Sequence, residues 1–338
     1  MRAILYLSTV MLSACAMRTL IVASELDPPQ LALVHVQELL LPRPLEEGRG
    51  AFISAASGMV EHEGVLYFVS DDEFSLFSQV RGQPLRALAL GGGALPVAPG
   101  ERKRVKPDFE SLVLLSETEW PPHGALVAWP SGSKLNRMRA WTIPFLEDGT
   151  PGTPLESNIL PLAYKLTSEA GKLNIEGLFV RDGKIFLLQR GNSRESRNGI
   201  FRMSLKAWMS GLRSGDWSEG TPEFQEVELG TLDGVRLSLS DAIWTPHGLL
   251  GLASAEDTQS PYAKGHVMGS VLVRIVDGGS EILGVFPAHV KLEGMLLERE
   301  LADGSLQLLL VDDADDEHKP STLYRATLTS AQLQTVKK

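Results

Sequence analysis

One unit recurs five times along the chain, and it restricts the fold more than any other feature. Each copy opens on a small or acidic residue followed by a short apolar run: Ser57-Gly58-Met59-Val60, Glu110-Ser111-Leu112-Val113, Glu176-Gly177-Leu178-Phe179, Asp241-Ala242-Ile243-Trp244 and Glu293-Gly294-Met295-Leu296. A turn follows, at Glu63-Gly64, His123-Gly124, Asp182-Gly183, His247-Gly248 and Asp303-Gly304. A second apolar run then ends in a polar loop. Successive copies lie about 50–65 residues apart, the size of a four-stranded propeller blade with generous loops. Third strands are predicted over 74–80, 138–143, 199–205, 270–275 and 322–328, and outer strands over 85–90, 158–162, 224–229 and 281–286.

The fifth unit has no outer strand of its own, because little chain follows Leu328. Residues 33–39 are the natural donor; pairing with 322–328 closes the ring and removes an exposed sheet edge. The expected fold is therefore all-β: a propeller of five four-stranded blades closed by an N-terminal strand, over residues 31–330. The 32 glycines and 20 prolines leave few breaker-free stretches and argue against a helical bundle. The main non-β feature expected is a short helix over 205–212.

Residues 1–30 read as an address. Met1-Arg2, an apolar run over 3–12 and a small-residue exit describe a signal peptide. Leu12-Ser13-Ala14-Cys15 also fits a bacterial lipobox, and Cys15 is the only cysteine. Ala14-Cys15-Ala16 equally suits ordinary cleavage, and a start at Met17 gives a cytoplasmic protein. The expected location is the periplasm or the outer membrane as a lipoprotein, with membrane contact only through a lipid on Cys15. A single cysteine excludes an internal disulfide framework and a Cys-based zinc site. A net charge of −10 gives no footprint for nucleic acid.

In a propeller, first-strand starts and second-strand ends converge on one mouth of the central channel. The starts supply Ser57, Glu110, Glu176, Asp241 and Glu293; the ends supply Asp71, Asp72, Arg190, Asn192, Glu256, Asp257, Asp312 and Asp315. Crowded carboxylates must be protonated, paired or metal-bound. Oxygen ligands without Cys or clustered His favour Ca²⁺ or Mg²⁺. The expected metal set is Glu110, Glu176, Asp241 and Glu293, with Glu176 and Asp241 in catalysis and Arg190 orienting an anion. The plainer reading is that such acids accept backbone N–H bonds and lock neighbouring blades together, with Arg190 neutralising Glu176. Asp312-Asp313-Ala314-Asp315-Asp316 lacks EF-hand spacing and reads as a solvated loop bridged by Lys319.

The segments Ala56-Ser57-Gly58, Tyr67-Phe68-Val69-Ser70-Asp71-Asp72-Glu73, Ile175-Glu176-Gly177-Leu178, Leu188-Gln189-Arg190-Gly191-Asn192 and Leu292-Glu293-Gly294 resemble a bacterial β-propeller family with no established activity. The resemblance covers roughly residues 55–328 and implies the fold. The Glu-Gly strand starts are more distantly similar to phytase-like esterase domains and to the gluconolactonase group. The second likeness implies a divalent metal held by acids at the channel mouth. Two functions follow as expectations. One is an envelope hydrolase, cation-dependent, acting on a small-molecule ester, lactone or phosphoester at the mouth. The alternative is a non-catalytic propeller that binds a ligand or a protein. A monomer is expected in either case.

Overall fold

The computed structural model describes residues 28–334 apart from 192, 194, 258–265, 288, 289 and 315. The stretch expected to be a signal peptide, with Cys15 and Met17, and the site candidates Asn192 and Asp315 lie outside the described residues. β1 (Val34–Glu38) precedes the first blade. Blade 1 is β2 (Ala56–His62), β3 (Val65–Ser70), β4 (Ser75–Val80) and β5 (Arg86–Ala89). Blade 2 is β6 (Phe109–Leu115), β7 (Ala125–Pro130), β8 (Arg139–Pro144) and β9 (Leu155–Asn158). Blade 3 is β10 (Ile175–Arg181), β11 (Lys184–Gln189), β12 (Gly199–Ser204) and β13 (Glu223–Glu226). Blade 4 is β14 (Thr231–Leu232), β15 (Val235–Thr245), β16 (Gly248–Asp257), β17 (His266–Val276) and β18 (Gly279–Val285). Blade 5 is β19 (Leu292–Glu300), β20 (Leu306–Asp312) and β21 (Thr322–Leu328).

The expected five-bladed propeller is the fold observed, and its closure is as expected. β1 pairs antiparallel with β21, from Val34 opposite Arg325 to Glu38 opposite Thr322. The inner strands of the blades bury both faces, which is why runs such as Leu306–Asp312 are almost continuously apolar, whereas outer strands such as Arg86–Ala89 are largely exposed. Five clusters of buried apolar side chains fill the five blade interfaces. Phe109 and Tyr67 belong to the cluster between blades 1 and 2, and Leu309 and Phe77 to the one that joins blade 5 back to blade 1.

The glycine of the repeat answers to this packing. A Cβ on Gly58 would lie 2.5 Å from the Leu112 backbone N, and one on Gly294 would lie 2.4 Å from the Ser57 carbonyl O. First strands of adjacent blades approach too closely there for any side chain.

Two helices depart from expectation. The outer strand of blade 2 ends at Asn158, and the chain then turns into α2 (Leu160–Ala170) instead of continuing as strand. Pro161 suits a first helical turn, and Leu162, Ala163, Leu166 and Ala170 share a buried face against the blade 2–3 cluster. α1 (Pro99–Val105) lies in the connection from blade 1 to blade 2. The expected helix is present as α3 (Leu205–Ser214), capped by the Ser204 side chain and stopped by left-handed Gly215. Among the described residues no helix is long and apolar enough to cross a membrane.

Candidate functional site

Every first strand carries a bulge at its channel-mouth end. The register skips Glu110 in β6, Glu176 in β10 and Glu293 in β19. In β2 it skips Ser57 and Gly58, and in β15 it skips Ser240. A bulge re-aims the side chain it frees, and here it sends three glutamates into a neck of about 40 Å³ with Asp71, Arg190, Lys291 and Asp313. That neck opens into a wider mouth of about 840 Å³, walled in part by Asp72, Arg102, Lys106 and Glu256.

The expectation for Asp241 is corrected. The residue of blade 4 equivalent to the three glutamates is Ser240, so Asp241 occupies the position that glycine takes in blades 3 and 5. Its carboxylate turns into the blade contacts: Oδ1 accepts the Ala242 N–H at 2.8 Å and Oδ2 accepts the Met295 N–H at 2.8 Å. Asp241 braces blade 4 to blade 5 and stands apart from the glutamates of the neck. Burial pushes it up to about 7, against the pull of those two backbone donors. Asp312 is likewise spent locally, accepting the Thr322 N–H at 2.5 Å and the Tyr324 hydroxyl at 3.3 Å.

Arg190 serves as the counter-ion of the neck. It lies 3.4 Å from Glu176, 2.7 Å from Glu256 and 3.8 Å from Glu293, and it is 5% exposed. Lys291 adds contacts to Glu293 at 2.7 Å, Asp313 at 3.0 Å and Glu256 at 3.6 Å. The acids consequently diverge. Burial raises Glu256, but Arg190 and Lys291 overcome it and hold the group at about 2. Burial prevails at Glu176, which rises to about 7 in spite of Arg190.

Glu110 differs from both. Among the described residues no cation pairs with it; burial first, then Glu176, Asp108, Asp71 and Glu293, raises it well above the usual carboxylate range. Asp71 is also raised well above that range, because burial outweighs Lys106. Oxygens of Asp71, Asp108 and Glu110 all lie within 4.8 Å of one another. Lys106 stands over this cluster, paired with Asp71, 3.3 Å from Asp72 and 3.5 Å from Asp108, while Arg137 pairs with Asp108 from the other side.

Sequence reasoning missed Lys106, Asp108, Arg137 and Lys291. A usable pattern existed for two of them: Asp108 and Lys291 stand two positions before Glu110 and Glu293, as Asn174 stands before Glu176. Period-two alternation puts such pairs on one face, and Asn174 does donate to Glu176. His318 reaches the mouth wall but is 85% exposed.

These features define a five-bladed β-propeller whose channel mouth gathers carboxylates, two of them poorly neutralised. A family of unknown function, DUF6929, matches residues 52–328, and the chain belongs to that family. No curated protein matches it. Among solved structures it is similar to an α-L-arabinofuranosidase from Podospora anserina in complex with cellotriose, at 12% identity and TM-score 0.49, over 89% of this chain and 98% of that one. It is also similar to the glutaminyl cyclase of Myxococcus xanthus, at 12% identity and TM-score 0.42, over 90% and 99%. A third is a putative phosphatase from Bacteroides thetaiotaomicron, at 10% identity and TM-score 0.44, over 87% and 79%. Likeness at this level carries nothing about function.

Proposed function

We propose that this protein is an envelope hydrolase that works with a divalent cation, Ca²⁺ or Mg²⁺, on a small ester, lactone or phosphoester drawn into the mouth. Support comes from one observation above the rest: Asp71, Asp108 and Glu110 converge, with Asp71 lining both mouth and neck and Glu110 lining the neck. The donors are all carboxylate oxygens, which suits a hard cation. Among the described residues, Asp71 Oδ1 is buried without a hydrogen-bond donor and Glu110 has no cation beside it, so the residues fit such an ion. This set replaces the expected one: Glu110 stays, Asp241 leaves, and Glu176 and Glu293 become neighbours.

A bound cation supplies Lewis-acid polarisation of the scissile group. Glu176, with its pKa near neutrality, takes a proton from an attacking water or returns one to the leaving group. Arg190 keeps Glu176 in place and is already committed to three carboxylates, so anion orientation falls to the mouth wall.

The test is metal analysis of purified full-length protein, a calorimetric titration with each cation, and a hydrolase substrate panel with and without chelator. Chelator-sensitive hydrolysis abolished by Glu176→Gln supports the proposal; cation binding without turnover on any substrate class removes the enzymatic half. A second reading is a non-catalytic module for a cationic organic ligand. It is favoured by Lys106, whose ammonium already sits among Asp71, Asp72 and Asp108. Binding of organic amines in place of divalent cations selects it. Envelope location is tested by mass spectrometry of the native N-terminus.

A further inference from the structure

We infer that Lys106 is a tethered cation that closes the acidic site, and that α1 is a strap which a divalent cation must release. The inference rests on the cation reading of the mouth and adds its regulation. The strap begins after Gly91, Gly92 and Gly93, all at positive φ, and runs to Pro107 along the mouth wall. Within α1 only Arg102 is buried. The helix is therefore not seated by an apolar face, as α2 is.

Its attachments are ionic. Arg102 lies 3.5 Å from Asp72 of blade 1 and 3.2 Å from Glu317 of the blade 5 loop, spanning the mouth. Its other bonds return to the strap itself, at the Pro96 and Val97 carbonyls. One turn on, Lys106 places its ammonium against Asp71, Asp72 and Asp108. Two of these, Asp71 and Asp108, belong to the three-carboxylate cluster. An ammonium and a divalent ion drawn to the same two carboxylates repel one another at such distances and compete for them.

Cation binding therefore displaces Lys106, and the loss of that contact loosens α1. By reciprocity, whatever holds Lys106 down weakens the cation by the same factor. The site is autoinhibited by a residue of its own rim.

The experiment uses the full chain titrated calorimetrically with CaCl₂ and, separately, MgCl₂, in wild type, Lys106→Met, Lys106→Arg and Lys103→Met. Lys103 lies on the same helix, is exposed and serves as the control. Lys106→Met is expected to bind about tenfold tighter or more, Lys106→Arg no tighter, and Lys103→Met as wild type. In parallel, trypsin digestion of the wild type reads the strap through Arg102, Lys103 and Arg104; added cation should speed cleavage there. This second measurement decides the matter if Lys106→Met does not fold. Cation binding by wild type with no tightening in Lys106→Met, or with cleavage unchanged or slowed, overturns the strap and leaves the cation reading intact. Absence of cation binding in both proteins removes that reading and the strap with it.

Discussion

Replacing Arg190 with methionine removes the one cation that Glu176 contacts among the described residues, while keeping most of the side-chain volume. Lys291 still pairs with Glu293 and Glu256, so the damage centres on Glu176, which is 4% exposed and left with only the Asn174 amide. Removing one partner of a buried ion pair costs about 3–5 kcal/mol, because the charge left behind is uncompensated. Unfolding entropy of about 2.1 cal/mol/K per residue, over 338 residues, makes each kcal/mol worth about 1.5 °C in Tm. Arg190→Met should therefore melt about 4–7 °C below wild type near pH 8. The pH dependence has a definite sign. Burial holds Glu176 up at about 7 in the folded state, against an ordinary 4.5, and loss of Arg190 raises it further. Folded protein then holds a proton that the unfolded chain releases, so the Glu176 part of the deficit is absent below about pH 4.5 and grows as pH rises through 7 and beyond. Glu256, held at about 2 by Arg190 and Lys291, contributes a part that persists across this range. Differential scanning calorimetry at about pH 5 and pH 8.5 measures both. Adding Glu176→Gln to Arg190→Met should recover part of the loss at the higher pH. A variant that melts with wild type at pH 8.5, or a deficit that does not narrow on acidification, would refute the assignment of Arg190 as the counter-ion of the neck.

Asp241→Ala strips acceptors from the Ala242 and Met295 N–H groups and should cost about 2–4 kcal/mol near pH 5 by urea denaturation. The gap should narrow as pH rises from about 4 to about 7, since over that window the unfolded chain releases the proton that buried Asp241 keeps, and should level off above it; a gap that widens with pH contradicts the brace. Gly58→Ala drives a Cβ to 2.5 Å from the Leu112 backbone N and should cost about 3 kcal/mol or more, whereas Gly64→Ala, with open space but φ +77, should cost about 1 kcal/mol. Equal losses in the two variants would show that blade proximity is not what selects glycine. Deleting residues 34–38 leaves the β21 edge unpaired, and size-exclusion chromatography should show aggregate; a soluble monomer with unchanged melting would mean that closure by β1 is dispensable.

What the sequence by itself determined is the blade. Five copies of an apolar strand pair, each opened by a small or acidic residue, specify first and second strands because both are buried on two faces and neither register nor length has much freedom. The missing fifth outer strand and the early run around Val34 likewise pointed to closure. Glu110, Glu176, Glu293 and Arg190 were visible as a converging set for the same reason. Tertiary structure decided the rest. Asp241 aligns with the glutamates in the linear pattern, yet the hydrogen-bond register of β15 on β16 places the bulge one residue earlier, at Ser240. A one-residue slip in a strand exchanges faces, and apolar spacing alone does not record it. The cations that set each carboxylate's charge come from elsewhere in the chain: Lys106 follows α1, Arg137 follows blade 2's second strand, and Lys291 precedes β19. A basic run in sequence reads as a solvated face. Only the closed ring, which folds α1 across the mouth, turns Arg102 and Lys106 inward and makes them partners of acids far off in the chain, as Lys106 is for Asp71, 35 residues away.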